Sequence, residues 1–403
     1  MKERVEVNRK IKKKRREGRR KSTTFVPPDI ISEILSKLPL KSLMRFRCVS
    51  KLWSSITTDP YFLKSLQTTR PSRLLVVGFR KRDGFFVLSF PQQNLQKPNE
   101  PSQPINSYRM THANPGCPFT IATGSVQGLM ICFLEPTKPI VWNPSINKLL
   151  PLSKPGDTWK GVRVFLGYDP IEGKHKVVCM PKLTCVQALD ECKVLTLGSG
   201  SAQEPWRKIE TIRNHFPLTA ESSCHSHPRC INGVVYYHAK LGPHQRVIMS
   251  FDVRSEKFHA INLPLPKWTW RLTLSYHGKF ACTGYNIQGN KIIMFVLKDA
   301  MKHEWSRHLF SSLPEHWRNL NRSDVLMGDT DDDDGGELIF VRAKSLEFIY
   351  IHPKRKTLRS VNYRGVLDDF RQRNGLEDTP LAALAALDEF QLFPNHIETL
   401  SSL

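Results

Sequence analysis

The alternation of apolar and polar positions divides the chain into stretches with different periods. Residues 1–22 carry no apolar periodicity at all. From Phe25 to residue 68 the spacing is helical. Ile30, Ile31, Ile34, Leu35 and Leu38 recur on successive turns, Asp29 stands where an N-cap is expected, and Pro39 ends the run. Leu40, Leu43, Met44 and Phe46 then lead to Val49. Ser50 is placed to cap a further helix carrying Leu52, Trp53 and Ile56, which ends near Asp59-Pro60. From about residue 72 the period drops to 2. Short β-rich runs, among them residues 73–79, 85–90, 125–133, 164–168, 176–180, 246–253, 291–297 and 346–351, are separated by Gly, Pro, Asn or Asp. Leu381, Leu384, Leu387 and Phe390 restore a helical stripe, predicting a helix over 381–393. The expected fold is therefore α+β and multidomain: a small all-α module followed by an all-β, propeller-like domain. Its divisions are a disordered tail at 1–22, helices at 23–68, the β-domain at 70–365 and a helical tail at 366–403.

One unit of the β-region repeats in register. Trp142-Asn143-Pro144 is followed by Lys148, Tyr168-Asp169-Pro170 by Lys174, and Phe251-Asp252-Val253 by Lys257; Ile351-His352-Pro353 with Lys356 is a degenerate copy. The physics is that of a hairpin. An aromatic residue ends a buried strand, the Asx side chain bonds its own backbone, and Lys opens the returning strand on its solvent side. Aromatic residues at Trp206, Phe251, Trp305 and Tyr350, spaced by 45, 54 and 45 positions, suggest units of four antiparallel strands, the period of a propeller blade. An array of β-sandwiches is the alternative.

Charge changes the picture at one end of the chain. The formal net charge is +23. Residues 1–21 hold 12 Lys/Arg against 3 Glu, and the tract Lys12, Lys13, Lys14, Arg15, Arg16 reads as a nuclear-import signal or a polyanion contact. No aromatic residue occurs in the first 24 positions, so no base-stacking platform accompanies this charge. No run approaches 18 apolar residues and no apolar signal core opens the chain, so the expected location is the nucleus, the cytoplasm or both. Nine cysteines without a framework fit a reducing compartment.

Candidate chemistry is sparse. Cys224, His225, His227 and Cys230 could ligate zinc, yet no second ligand pair stands at a structural-site spacing. The acidic run Asp329, Asp331–Asp334 and Glu337 places Asp334 and Phe340 where a calcium loop needs Gly and Glu, and so reads as a hairpin tip. Cys117 and Cys192 lack a basic neighbour in sequence, and no phosphate-binding or nucleophile-elbow motif is present. Neither metal, cofactor nor catalytic residue is expected. Trp268, Trp270 and Arg271 concentrate interface-type side chains in one loop and are the candidate target-binding residues, with packing between blades as the alternative.

Two stretches carry a family resemblance. Val26-Pro27, then Ile31, Ile34-Leu35, Leu38-Pro39 and Leu43, then Arg45-Phe46-Arg47-Cys48-Val49-Ser50-Lys51 and Trp53, resemble an F-box. Gly128-Leu129-Met130-Ile131-Cys132, Val141-Trp142-Asn143-Pro144, Leu166-Gly167-Tyr168-Asp169-Pro170, Ile231-Asn232-Gly233 and Ser250-Phe251-Asp252-Val253 resemble the F-box-associated, kelch-like domains of plant F-box proteins. The resemblance implies a non-catalytic subunit of a Skp–cullin–F-box ubiquitin ligase. It would dock on the Skp-type adaptor, and through it on the cullin, while the β-domain binds a target protein. Pro27, Ile31, Ile34, Leu35, Leu38, Pro39, Leu43 and Val49 would form adaptor or core contacts. A nuclear nucleic-acid-binding protein, or an adaptor-binding protein acting outside a ligase, is the alternative; nucleic acid and membrane are not expected partners.

Overall fold

The computed structural model describes residues 26–81, 84–92, 99–111, 120–182, 191–198, 205–213, 215–218, 228–242, 244–264, 270–286, 291–309, 324–329, 336–342, 345–352, 354–355, 357–376 and 391–400. The chain forms two compact units, Met1–Phe62 and Leu63–Leu403. In the first lie α1 (Pro28–Lys37), α2 (Leu40–Phe46) and α3 (Lys51–Thr58); α4 (Pro60–Thr69) runs from the first unit into the second.

The second unit is a six-bladed β-propeller. Its first blade contains β1 (Arg73–Lys81), β2 (Gly84–Pro91) and β3 (Asn106–Thr111). The second is β4 (Thr120–Ile121), β5 (Met130–Glu135), β6 (Lys138–Asn143) and β7 (Lys148–Pro151). The third is β8 (Val162–Asp169), β9 (Lys174–Pro181), β10 (Cys192–Thr196) and β11 (Arg207–Ile209). In the fourth, β12 (His215–Pro217) and β13 (Arg229–Ile231) share one edge of β14 (Val234–Leu241), which pairs on to β15 (Gln245–Asp252) and β16 (Lys257–Asn262). The fifth runs β17 (Trp270–Tyr276), β18 (Lys279–Asn286), β19 (Lys291–Asp299) and β20 (Glu304–Leu309). The sixth runs β21 (Asp324–Asp329), β22 (Leu338–Arg342), β23 (Glu347–His352) and β24 (Thr357–Asn362), followed by α5 (Arg364–Arg373). All pairings are antiparallel.

The last strand, β25 (Gln391–His396), adds to β1 and completes the first blade in the order β25-β1-β2-β3. It corrects the helical reading of the C-terminal segment. Residues 391–393 are strand, and only α5 is helical among the described residues of 366–403; positions 381–390 lie outside them. The pattern misled because the residues facing β1 are chosen by a partner more than 300 positions away. Leu392 pairs with Val76 and Phe393 with Leu75, contacts that local periodicity does not register.

The repeated hairpins form as expected. Asn143 pairs with Lys148, Asp169 with Lys174 and Asp252 with Lys257, and all three lysines are exposed. Each Asx oxygen accepts turn N–H groups: Ser145 N on Asn143 Oδ1 at 3.0 Å, Ile171 N on Asp169 Oδ1 at 2.8 Å, Ser255 N on Asp252 Oδ1 at 2.6 Å. The residue before the return strand is left-handed (Asn147, Gly173, Glu256). Asp299 makes the same turn, accepting from Met301 N at 2.9 Å, with His303 at φ 56°. It escaped the sequence pattern because it has neither the aromatic residue nor the lysine. The aromatic spacing needs correction: Trp206 precedes and Trp305 lies on fourth strands, whereas Phe251 and Tyr350 lie on third strands. The two indoles play one role. Trp206 Nε1 donates to the Ser153 carbonyl at 2.9 Å and Trp305 Nε1 to the Asn262 carbonyl at 3.0 Å, each tying its blade to the preceding one. Between blades lie continuous apolar layers, such as Leu75, Val87, Met130, Trp142 and Phe393 between the first two.

Candidate functional site

The helical unit is built by its caps. Pro27, not Asp29, is the N-cap of α1: its carbonyl accepts the Ile31 N–H at 3.1 Å, and Pro28 occupies N1, where a missing N–H costs nothing. Asp29 falls instead in the first turn, where its charge complements the helix dipole. Leu38 is extended because it precedes Pro39, and Pro39 in turn caps α2. Ser50 Oγ accepts the Trp53 N–H at 3.1 Å at the start of α3, as its position predicted. Asp59 Oδ1 accepts the N–H groups of Tyr61 and Phe62 at 2.8 and 3.1 Å and starts α4.

These caps sort the apolar side chains of the module. Leu35, Leu40 and Leu43 are buried, and Phe46 meets Trp53 edge to face with ring centroids 5.0 Å apart. Arg47 Nη2 donates to the Thr57 carbonyl at 2.9 Å, and burial lowers the pKa of its guanidinium. Of the eight candidate adaptor residues, Leu35 and Leu43 belong to this interior, Ile31 and Leu38 are half-buried, and Pro27, Ile34, Pro39 and Val49 are exposed. Ile34 keeps 54% and Val49 62% of its surface in solvent. Ile30, Leu52, Val26 and Tyr61 are exposed as well and were missed by sequence reasoning. For Ile30 a signal existed: Ile30 and Ile34 stand four apart, one position off the Ile31–Leu35 row, and so line a second stripe of α1. So many large apolar side chains left in water by a module of this size are the kind of exposed patch that interaction surfaces present.

The remaining candidates are scattered or silent. The tract Lys12–Arg16, Trp268, Cys117, Cys224, His225, His227 and Asp331–Asp334 lie outside the described residues. Trp270 and Arg271 open β17, where Trp270 pairs with Gly284. Cys230 lies in β13, its thiol pushed up to about 11 by burial, and Cys192 is fully buried with its thiol pushed up likewise, so neither is poised as a nucleophile. Among the described residues no group of three or more His, Cys, Asp or Glu could hold a metal ion, and no helix is long and apolar enough to cross a membrane.

Comparison with known proteins agrees with both units. Residues 26–65 match the F-box domain, and residues 74–397 match the F-box associated beta propeller domain, reaching past the boundary expected at 365 to include β25. A relative from Arabidopsis thaliana, At1g47730, is 45% identical over 414 residues and aligns over 100% of both chains. The Arabidopsis thaliana F-box protein At1g48060 is 43% identical over 389 residues, covering 94% of this chain and 93% of that protein. With the first three helices inside one match and the second to sixth blades and the closing strand inside the other, the chain belongs to the F-box proteins whose F-box is followed by an F-box-associated β-propeller domain.

Proposed function

We propose that this protein is the substrate-recognition subunit of a Skp–cullin–F-box ubiquitin ligase, bringing a target protein to the transfer machinery and performing no bond chemistry itself. Its contribution is proximity: holding a target beside the reacting groups converts an encounter between separate molecules into one within a complex. The observation that carries the reading is the exposed apolar surface of the F-box unit. Pro27, Ile34, Pro39 and Val49 contact the adaptor, joined by Ile30 and Leu52, while Leu35 and Leu43 hold the helices that present them. Ile31 and Leu38, half-buried, border both. Burial of Ile34 and Val49 alone, each more than half exposed, would remove on the order of 200 Å² of apolar surface from water, or about 5 kcal/mol before the costs of association.

Co-expression with a Skp-type adaptor tests the proposal. The full chain is expected to co-purify with the adaptor and, through it, with the cullin. Ile34→Asp combined with Val49→Asp is expected to abolish that association while the thermal unfolding of the chain stays within a degree or two. Retention of the adaptor by this double variant would refute the docking assignment; adaptor capture without cullin recruitment would refute the ligase.

A further inference from the structure

The tight turns of the second to fifth blades are bonded to one another. Hydrogen bonds between turns of successive blades show that these tips share one side. His175 of the third blade bonds through Nε2 to the carbonyl of Val126 in the second at 3.1 Å. The turn at Asn232-Gly233 packs on Pro170, and Asn232 Nδ2 donates to the Gly278 carbonyl of the fifth blade at 2.9 Å. His259 Nε2 bonds the Ala300 carbonyl at 3.1 Å, and its ring stacks on His303. Glu256 accepts from Lys176 Nζ at 2.8 Å and from Nη1 and Nη2 of Arg207 across the boundary of the third and fourth blades. The result is a fixed frame.

Three turns on that face carry long side chains two residues after their Asp: Ile171 between the first and second strands of the third blade, and Arg254 and Met301 between the third and fourth strands of the fourth and fifth. Ile171 is 71% and Met301 73% exposed, the most exposed large aliphatic side chains of the propeller's described residues. The second blade has buried Ser145 there instead. Around them stand exposed Lys174, Lys257, Lys279 and Lys302, against exposed Glu172 and Glu304. Asp169, Asp252 and Asp299 do not offset this outward, because each is at least half-buried with its Oδ1 held by turn N–H groups. Two exposed aliphatic side chains and a guanidinium on one face, among lysines, suit neither water nor a phosphate backbone, and among the described residues no exposed Phe, Tyr or Trp offers a base a stacking plane there.

We propose that this three-blade turn face binds an extended protein segment in which acidic residues alternate with large apolar ones. The apolar side chains would cover Ile171 and Met301, and a carboxylate would take Arg254 in a bidentate pair. The cross-bonded turns supply preorganisation, so little ordering entropy opposes binding. The inference rests on the reading of the propeller as the target-binding unit and names its surface.

The test is selection of random dodecapeptides displayed on phage against the purified full chain. Expected is enrichment of sequences with at least two Asp or Glu interleaved with Leu, Ile or Phe. The best peptide should bind about 30-fold more weakly to Arg254→Glu, the loss typical of a central anchor. Ile171→Ser with Met301→Ser should weaken it comparably, and Trp270→Ala with Arg271→Ala, at the opposite end of β17, should not. The Arg254 and Ile171/Met301 variants should retain the adaptor and the parental melting temperature, which separates failure here from failure of the ligase assignment. Peptides without acidic excess, no enriched peptide, loss confined to the Trp270/Arg271 variant, or single-stranded RNA outcompeting every peptide would each overturn the proposal.

Discussion

Replacing Gly128 by alanine probes how the propeller closes. Gly128 follows Gln127 in a tight turn at φ +84°, a conformation that costs an L-residue roughly 1–2 kcal/mol. A Cβ there would lie 2.4 Å from Thr399 Cγ2 and 2.5 Å from the Ile397 carbonyl oxygen. The methyl could rotate away; the carbonyl could move only with the segment behind β25. That segment is well anchored. His396 lies between Ser125 Oγ at 2.9 Å and Ser145 Oγ at 3.2 Å. Thr399 N donates to Ser145 Oγ at 3.1 Å, its carbonyl accepts from Asn143 Nδ2 at 3.2 Å, and Glu398 pairs with Arg70 at 3.4 Å. Either the overlap is tolerated, at about 1–3 kcal/mol, or two or three of these bonds are given up at about 1 kcal/mol each. Adding the backbone cost, Gly128→Ala should destabilise the propeller by about 2–5 kcal/mol, a large part of the roughly 5–15 kcal/mol a domain possesses. Urea titration followed by tryptophan fluorescence measures this, and native-state hydrogen exchange should show residues 391–400 exchanging first. Thr399→Ala in the same chain removes the methyl contact but not the carbonyl contact, so rescue should be partial. A midpoint shifted by less than 0.5 kcal/mol equivalent, or full rescue by Thr399→Ala, would refute the clasp.

Three further outcomes are expected. Leu35→Ala, in the interior of the F-box unit, should cost about 2–5 kcal/mol in its thermal unfolding, whereas Ile34→Ala, one position along α1, should stay within about 0.5 kcal/mol; equal losses would contradict the inward and outward assignment. Burial lowers His215 and His238 to about 4 and His396 to about 3, so folding keeps them neutral while the unfolded chain takes up protons below about 6.5. Stability from these groups is whole above that pH and lost as the pH falls toward 4, about 2 kcal/mol each by pH 5; a melting temperature flat from pH 7 to 5 would exclude it. Glu256→Gln leaves the buried Lys176 ammonium without its carboxylate and should cost about 3 kcal/mol, most of it recovered by adding Lys176→Met; no recovery in the double variant would place the loss elsewhere.

Much of this molecule is written in local signals. The Asx hairpins at Asn143, Asp169 and Asp252 are legible because a turn is decided within five residues by side-chain-to-backbone bonds and permissive φ angles. Ser50 and Pro39 announce their helix boundaries for the same reason. The F-box anchors are legible as a set, since a short helical segment with that many large apolar side chains cannot hide them all. What each anchor faces is not. Ile34 and Leu35 are adjacent and chemically alike, and only the packing of α1 buries one and exposes the other.

Other features belong to no local stretch. Residues 391–393 read as the end of a helix until β1 supplies their strand pairing, and closing the ring requires contacts between residues more than 300 apart. His396 is unremarkable in sequence and becomes a buried bridge only when the chain's end meets Ser125 and Ser145. The alignment of Ile171, Arg254 and Met301 on one face likewise follows from stacking three blades. Sequence by itself determined the two units, the strand-and-turn rhythm and the apolar inventory of the F-box, because backbone preference and periodicity act over a few residues. Tertiary structure alone decided which of those side chains meet water, how the ring closes and which turns share a face, because burial is a property of surfaces that distant segments create together.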